Sequence, residues 1–487
     1  MTNSSDMSNW AKRLGIFAAL GGAITLAPTE LRAQPAGGSA APTPGSSEST
    51  PAPKTPAGGS TTEADAAGKT DAPTAKDGAA NATGTGEKDA APADKPAEAD
   101  GGKAKEEAKK EEAKEEPKEE AKEEEKPIIT MSGAVEISYS YNLNQPSNGV
   151  TAWRWYDFRH NVIGLQNALL TTNFEKGPVS GMVQLQLGNF AEVFWDAGRG
   201  PDKDLLWRLL QQATAKWTTP YEKLSIEGGA FNVPFGPEWN AAYLNWTWSA
   251  GNLFALMPYQ IGGVRANMDL GRGWTARAGV YNGWDQIVTD NNSAKSVMVS
   301  FEWESPADEE TYFYFNYMIG NERDQDDSRG PYARHTFDVY GQWHASERLF
   351  LRAHTFSGFE PTRGETIDGW LGGGLTVRVD PADWLSLVGR GDFVYTKSGP
   401  TGDNIFHSDT LALTGRNSNS STLIGSVTGT VDIHTASNVA LRLEARHDRA
   451  DFPLFFKGNV AKDVTTGEDI SNATNQTTLT AGLTTWF

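Results

Sequence analysis

The residues in this sequence best equipped for chemistry are charged, and they come in alternation. Arg442, Glu444, Arg446 and Asp448 stand two apart, as do Arg390 and Asp392, and Glu302 and Glu304. Arg265, Arg277, Arg334, Arg352 and Arg378 share the same parity within their segments, together with Glu227, Asp269 and Asp338. Side chains two apart share a face only when the chain is extended. A face carrying both signs in near balance does not suit a dry core, where unpaired charge is heavily penalised. It suits a wall in contact with water. Opposed charged walls set up a transverse field that sorts solutes by size, charge and dipole, and the near balance of signs predicts weak ion selectivity. For any single arginine, ion pairing that merely stiffens the wall is the competing reading.

Other chemistry is poorly represented. There is no His-Glu-x-x-His zinc motif and no Gly-x-Ser-x-Gly nucleophile elbow, and Gly68-Lys69-Thr70 lacks the earlier glycine of a phosphate loop. With no cysteines, disulfide frameworks and thiolate metal sites are excluded. The seven histidines are scattered, and His344, His354 and His447 suit lumen or rim positions better than ligation. Asp324, Asp326 and Asp327 resemble a calcium loop, but Gly330 comes one place late and no glutamate closes the loop. No enzyme, metal or cofactor is therefore expected. A net charge of -19 and a pI near 4.9 argue against nucleic acid as a partner.

The elements that would position such a wall are strands. Val135, Ile137, Tyr139, Tyr141 and Leu143 alternate with Glu136, Ser138, Ser140, Asn142 and Asn144, one face apolar and the other small and polar. About 16 such segments follow, from 131–144 to 475–487. Their connections alternate between tight turns, such as Glu175-Lys176-Gly177 and Ser346-Glu347, and long loops at 191–206, 235–259, 397–419 and 449–474. Trp217, Tyr221, Trp274, Trp303, Trp343, Trp384 and Trp486 fall beside the tight turns, where an indole suits the headgroup level of a bilayer. In lipid every backbone amide must be paired, which a sheet achieves only by closing on itself. The fold predicted is all-β: a transmembrane, antiparallel, up-and-down β-barrel at residues 128–487, with both termini on the periplasmic side of a bacterial outer membrane.

The remainder of the chain cannot build a core. Of its 50 aromatic residues, 48 lie from Tyr139 onward, and residues 34–127 contain none. Residues 1–33 read as a signal peptide, with Lys12 and Arg13 before an apolar run and a cleavage site at Leu31-Arg32-Ala33. An inner-membrane anchor is the alternative, although the apolar run is shorter than the roughly 20 residues a helical span needs. Residues 34–127 read as a disordered periplasmic tether, rich in Ala, Pro and Gly and then in Lys and Glu. Its last part is either an extended chain or a charged helix interrupted at Pro117.

Particular residues resemble a known family. Tyr139-Ser140-Tyr141-Asn142-Leu143-Asn144-Gln145-Pro146, Gly229-Ala230-Phe231 and Pro234-Phe235-Gly236-Pro237-Glu238 are similar to segments of the OmpL-like β-barrel porins of Gram-negative outer membranes. Asn245-Trp246-Thr247-Trp248-Ser249, Gly262-Gly263-Val264-Arg265-Ala266 and Val280-Tyr281-Asn282-Gly283-Trp284-Asp285 continue the likeness in order. It is dense over 133–304 and sparse afterwards. The resemblance implies a pore for small hydrophilic solutes and transfers no catalytic residue. The terminal strand, closing on Phe487, resembles the assembly signal of such barrels.

Segment 235–259 matches by position and length the third loop that general porins fold inward. If it stayed outside, Trp239, Tyr243, Trp246, Trp248 and Phe254 would be left wet. With Glu238 they are the candidate constriction residues. The reading calls for outer-membrane lipid, lipopolysaccharide and the barrel-assembly machinery as partners, with peptidoglycan open to the tether and a homotrimer as one available assembly. The alternative is a structural barrel that only anchors a periplasm-spanning tether.

Overall fold

The computed structural model describes residues 126–487 apart from 195–208, 309, 326, 329, 364–366, 398–421 and 466. The expected signal segment, almost all of the tether and Asp326 therefore lie outside the described residues.

Sixteen antiparallel strands close into a barrel. They are β1 (Ile128–Asn142), β2 (Val162–Lys176), β3 (Val179–Leu187), β4 (Leu210–Thr218), β5 (Leu224–Asn232), β6 (Gln260–Gly271), β7 (Trp274–Tyr281) and β8 (Ser296–Glu304). The second half comprises β9 (Tyr312–Gly320), β10 (Arg334–Ser346), β11 (Leu349–Pro361), β12 (Ile367–Ala382), β13 (Leu385–Lys397), β14 (Thr422–Ala436), β15 (Val439–Ala450) and β16 (Asn475–Trp486). Each strand pairs with its neighbours in sequence, and β16 closes on β1, with Ala134 opposite Trp486 and Asn142 opposite Thr478. Closure leaves no unpaired edge, which is the condition for a sheet to sit in hydrocarbon.

Alternation decides which side each residue faces. On β1, Val135 and Ile137 are exposed on the outer surface, whereas Glu136, Ser138, Ser140 and Asn142 are buried on the inner one. Connections sort by end, as expected. At one end β2–β3, β6–β7, β10–β11, β12–β13 and β14–β15 are joined by two residues each. The β6–β7 turn holds Gly271, Arg272 and Gly273 at positive φ, and a Cβ at Gly273 would come within 1.9 Å of the Glu304 carbonyl oxygen. At the other end most connections are long, including 143–161, 233–259 and 451–474.

The tryptophans beside the short turns mostly face outward. Trp217, Trp274, Trp343 and Trp384 are exposed, and Trp274 lies 6.4 Å from Trp303 on the adjoining strand. Trp486 departs from the expected girdle. It has inward parity and stacks on Tyr243, 5.8 Å between centroids.

The apolar core lies inside the barrel rather than between layers. It is assembled from connections at the long-loop end: Trp153, Trp155 and Tyr156 from the first, Trp248, Leu253 and Phe254 from the third, Trp284 from the fourth and Phe455 from the last. Phe190 joins them from a short helix, α1 (Asn189–Phe194). Rings of this size have nowhere else to leave water, because the outer face of the barrel belongs to the strands.

Candidate functional site: the lumen and the segment that crosses it

Segment 235–259 leaves the end of β5, enters the barrel and is fixed there by the charged inner wall. Its backbone supplies the donors. Tyr243 N–H binds Glu136 Oε1 on β1 at 2.7 Å, and Trp248 and Ser249 N–H bind the Glu444 carboxylate on β15 at 2.6 and 3.0 Å. Asn252 N–H binds Asp392 Oδ1 on β13 at 3.0 Å, and Gly236 N–H binds Asp338 Oδ2 on β10 at 3.2 Å. A loop inside a barrel must pair its amides without a neighbouring strand, and carboxylates aimed inward do this with charge-assisted bonds.

The arginines satisfy the loop's acceptors. Arg390 Nη1 donates to Glu238 (2.6 Å), to Thr247 Oγ1 (2.6 Å) and to the Ser249 carbonyl (2.7 Å), while its Nε holds Asp392 (3.1 Å). Arg442 pairs with Asp432 at 2.8 Å and donates to the Ala242 carbonyl. Arg446 pairs with Asp448 at 2.7 Å and donates to the Ala250 carbonyl. Arg352 lies 3.9 Å over the Trp246 ring. Inward glycines make room for the loop's large side chains: a Cβ at Gly482 on β16 would stand 2.3 Å from the Trp248 ring, and one at Gly372 on β12 would stand 2.8 Å from Leu253.

The expected evenly wetted wall is thus divided in two. Arg334, Arg352, Arg390, Arg442 and Asp338 are buried, most of them held against the inward segment. Arg334 is instead near the long-loop end, bonded to Glu360 at 3.2 Å and 4.8 Å from the Trp284 ring. Arg265, Arg277, Glu227, Asp269 and Arg378 keep partial exposure, with Arg265–Glu227 and Arg277–Glu302 paired at 2.8 Å and Arg378 bound to Asp380. The physical reason is that parity assigns a residue to the inner face but does not say whether water or a folded loop meets it there.

The six loop residues divide likewise. Trp246, Trp248 and Phe254 are buried, Glu238 is held by Arg390, Tyr243 stacks on Trp486, and Trp239 remains 51% exposed. Beside Trp239 lies a cavity of about 340 Å³, bounded on one side by the inward segment and on the other by Arg277, Glu302, Glu304, Tyr314 and Tyr340 of β7 to β10.

The family comparison bears on the same residues. The family described as "Putative beta-barrel porin-2, OmpL-like" matches residues 128–487. The chain belongs to this family. It is an outer-membrane β-barrel of porin type.

Among solved structures, the anion-selective porin from Comamonas acidovorans is 10% identical, with a TM-score of 0.48, covering 74% of this chain and 100% of its own. The outer membrane channel DcaP of Acinetobacter baumannii is 12% identical, with a TM-score of 0.47, covering 74% and 97%. OmpT of Vibrio cholerae is 8% identical, with a TM-score of 0.47, covering 74% and 98%. No residue role follows from likeness at this level. No match is found among curated proteins.

The barrel of this OmpL-like porin also receives a second inward segment, which sequence reasoning missed. Thr151 to Phe158, in the first long connection, are all buried. Trp153 Nε1 donates to Asn252 Oδ1 at 2.7 Å, and Tyr156 Oη donates to the Trp248 carbonyl, so the two inward segments bind each other. Arg154 lies 3.3 Å from Asp448 and 3.5 Å from Asp157. Burial lowers the pKa of the Arg154 guanidinium, with neighbouring Arg446 adding to the effect, and burial raises that of the Asp157 carboxyl. The signal was present in Trp153, Trp155, Tyr156 and Phe158: four rings in one connection need cover as much as those of 235–259 do.

At the closing seam, Phe487 N–H binds the Gly133 carbonyl at 3.0 Å and Gly133 N–H binds the Phe487 carbonyl at 3.2 Å. The ring itself is 73% exposed.

Proposed function

We propose that the barrel passes small hydrophilic solutes by passive diffusion, and that segment 235–259 sets the narrowest section of the path. The observation that supports this is the uneven fixing of the segment. Its bonds run to β10, β13, β15 and β1 and, through Asn240, to β2, β3 and β4, which leaves the cavity beside β7 to β10 as the space next to Trp239 and Glu238. Arg265, Arg277, Glu227 and Asp269 are then the charges a solute meets, and Arg390 and Arg442 hold the segment in place. In this reading the short turns and both termini face the periplasm, Phe487 serves as the signal to the barrel-assembly machinery, lipopolysaccharide surrounds the long-loop end, and a homotrimer is the assembly to look for.

The test is a planar-bilayer recording of the parent and of a variant in which Phe235 is joined to Met257 by a few glycines. The variant should conduct more and admit larger sugars into liposomes. A variant that assembles and conducts as the parent does would remove the constriction role. The second reading, a barrel that only anchors the tether, draws on the two inward segments and the rings packed at the long-loop end. It requires a parent that never conducts.

A further inference from the structure

The cavity beside segment 235–259 has a lining that favours one class of solute. Three carboxylates, Glu238, Glu302 and Glu304, face it with one guanidinium, Arg277, and of the three Glu238 is also held by Arg390 behind the segment. Arg277 is already engaged: its Nη2 holds Glu302 Oε2 at 2.8 Å. The other oxygen of that carboxylate, Glu302 Oε1, is buried and has no hydrogen-bond partner, and the side chain is only 4% exposed. A buried carboxylate oxygen left without a donor carries a free-energy cost that an incoming N–H or O–H would remove.

Aromatic faces adjoin these acids. Tyr314 and Tyr340 stack at 4.9 Å with an angle of 7° between their planes, and Tyr312 meets Tyr314 edge-on at 5.5 Å. Tyr314 donates its hydroxyl to Glu304 at 2.5 Å, which fixes ring and carboxylate together. Across the space, Trp239 keeps half of its surface uncovered although every other tryptophan of its segment is buried. Its free face is therefore open to a solute in this space.

We propose that this space is a binding subsite for organic cations bearing a guanidinium or ammonium group. The deduction rests on the reading of the barrel as a solute path and specifies what that path selects. A cation gains from the carboxylate excess, supplies the donor that Glu302 Oε1 lacks, and is attracted to the faces of tyrosine and tryptophan. An anion meets the same carboxylates as repulsion. A neutral sugar would stack on the rings and donate hydroxyls to the carboxylates, but it gains no charge–charge attraction from them and so binds more weakly than a cation.

The experiment uses the full chain purified in detergent, with agmatine as guanidinium probe, glucose as neutral probe and succinate as anionic probe. Calorimetry should show saturable binding of agmatine alone. Glu302→Gln should weaken it roughly tenfold or more, the loss expected for one charge-assisted hydrogen bond. Tyr340→Leu should weaken it as well while leaving every carboxylate in place, and a gel shift on boiling checks that each variant has folded. In bilayers, agmatine should interrupt the potassium chloride current of the parent. Agmatine binding no tighter than that of glucose, or binding unaffected by both substitutions, overturns the subsite. A parent that binds agmatine but carries no current keeps the subsite and removes the channel reading; one that conducts and ignores agmatine does the reverse.

Discussion

The indole of Trp248 occupies the space that a side chain at residue 482 would fill: a Cβ added to Gly482 would stand 2.3 Å from the ring. The wall and the inward segment are fitted at this point by the absence of atoms on one side and a large ring on the other.

Gly482→Val should therefore push Trp248 off β16 and loosen the whole segment. Overpacking of this kind costs about 1–3 kcal/mol. Single-channel conductance should rise and become noisier. Gly429→Ala is the control, since nothing lies within 4 Å of a Cβ at that position, and it should behave as the parent does.

Arg390 and Arg378 offer a contrast between a buried and an accessible arginine. Arg390→Ala leaves Glu238 and Asp392 without their cation inside the packed lumen, a loss of about 3–5 kcal/mol. Arg378→Ala removes a partly exposed pair with Asp380, worth about 0–1 kcal/mol. The temperature at which the folded band disappears on a gel should drop markedly for the first and little for the second. Equal shifts would mean that the lumen around Arg390 is wet.

Charge at the open wall should set ion preference. Replacing Arg265 and Arg277 by Ala removes two positive charges that line or adjoin the cavity. At about 8 Å in water each is worth about 0.5 kcal/mol, so reversal potentials should move toward cations by a permeability ratio of roughly two- to sixfold. Arg442→Ala, whose charge is buried against the segment, should alter selectivity much less than either.

Glu322 gives a pH test outside the strands. It accepts bonds from Trp284 N–H at 2.6 Å and from Ser296 Oγ at 2.5 Å, and burial raises its pKa above the usual glutamate range despite the partial offset from Arg334. A carboxyl whose pKa is raised by folding binds its proton more tightly in the folded state. Its contribution to stability is then largest below the unfolded value and is lost as pH rises through the folded one. Glu322→Gln, which never ionises, should gain on the parent as pH rises from 4 to 8 and lose ground on acidification. Melting midpoints at several pH values decide it, and the opposite trend would mean that the ionised form is the one stabilised.

Deleting Phe487 should reduce assembled barrel in the outer membrane more than deleting residues 40–120. Its backbone forms both hydrogen bonds to Gly133 at the closing seam. Fractionation of cells expressing each deletion reads the result directly.

Much of the barrel was legible because lipid on one side and a lumen on the other impose a period of two that nothing local disturbs. Val135 and Glu136 could be assigned to opposite faces from their types alone, and the strands lie close to where alternation placed them. Depth was not legible. Arg265 and Arg390 both have inward parity, yet one pairs with Glu227 and keeps partial exposure while the other is covered by a packed loop. What covers an inward residue is decided by connections far away in sequence, and period carries no information about them. Trp486 differs for a related reason: its position beside a turn fits a girdle, but its parity turns it onto Tyr243. Trp153 to Phe158 carry the same signal as segment 235–259, four rings in one connection that need cover.

Segment 235–259 also touches both strands of the closing seam. Tyr243 binds Glu136 on β1 and stacks on Trp486 of β16, while Trp248 lies on Gly482. The bonded partners are 107 residues apart for Tyr243 and Glu136, and 196 for Trp248 and Glu444. Contacts so distant along the chain form late, because the entropy of closing long loops must be overcome before they contribute. The closing seam is thus held by three distant regions of the chain rather than two, its own pair of strands and the middle segment that bridges them.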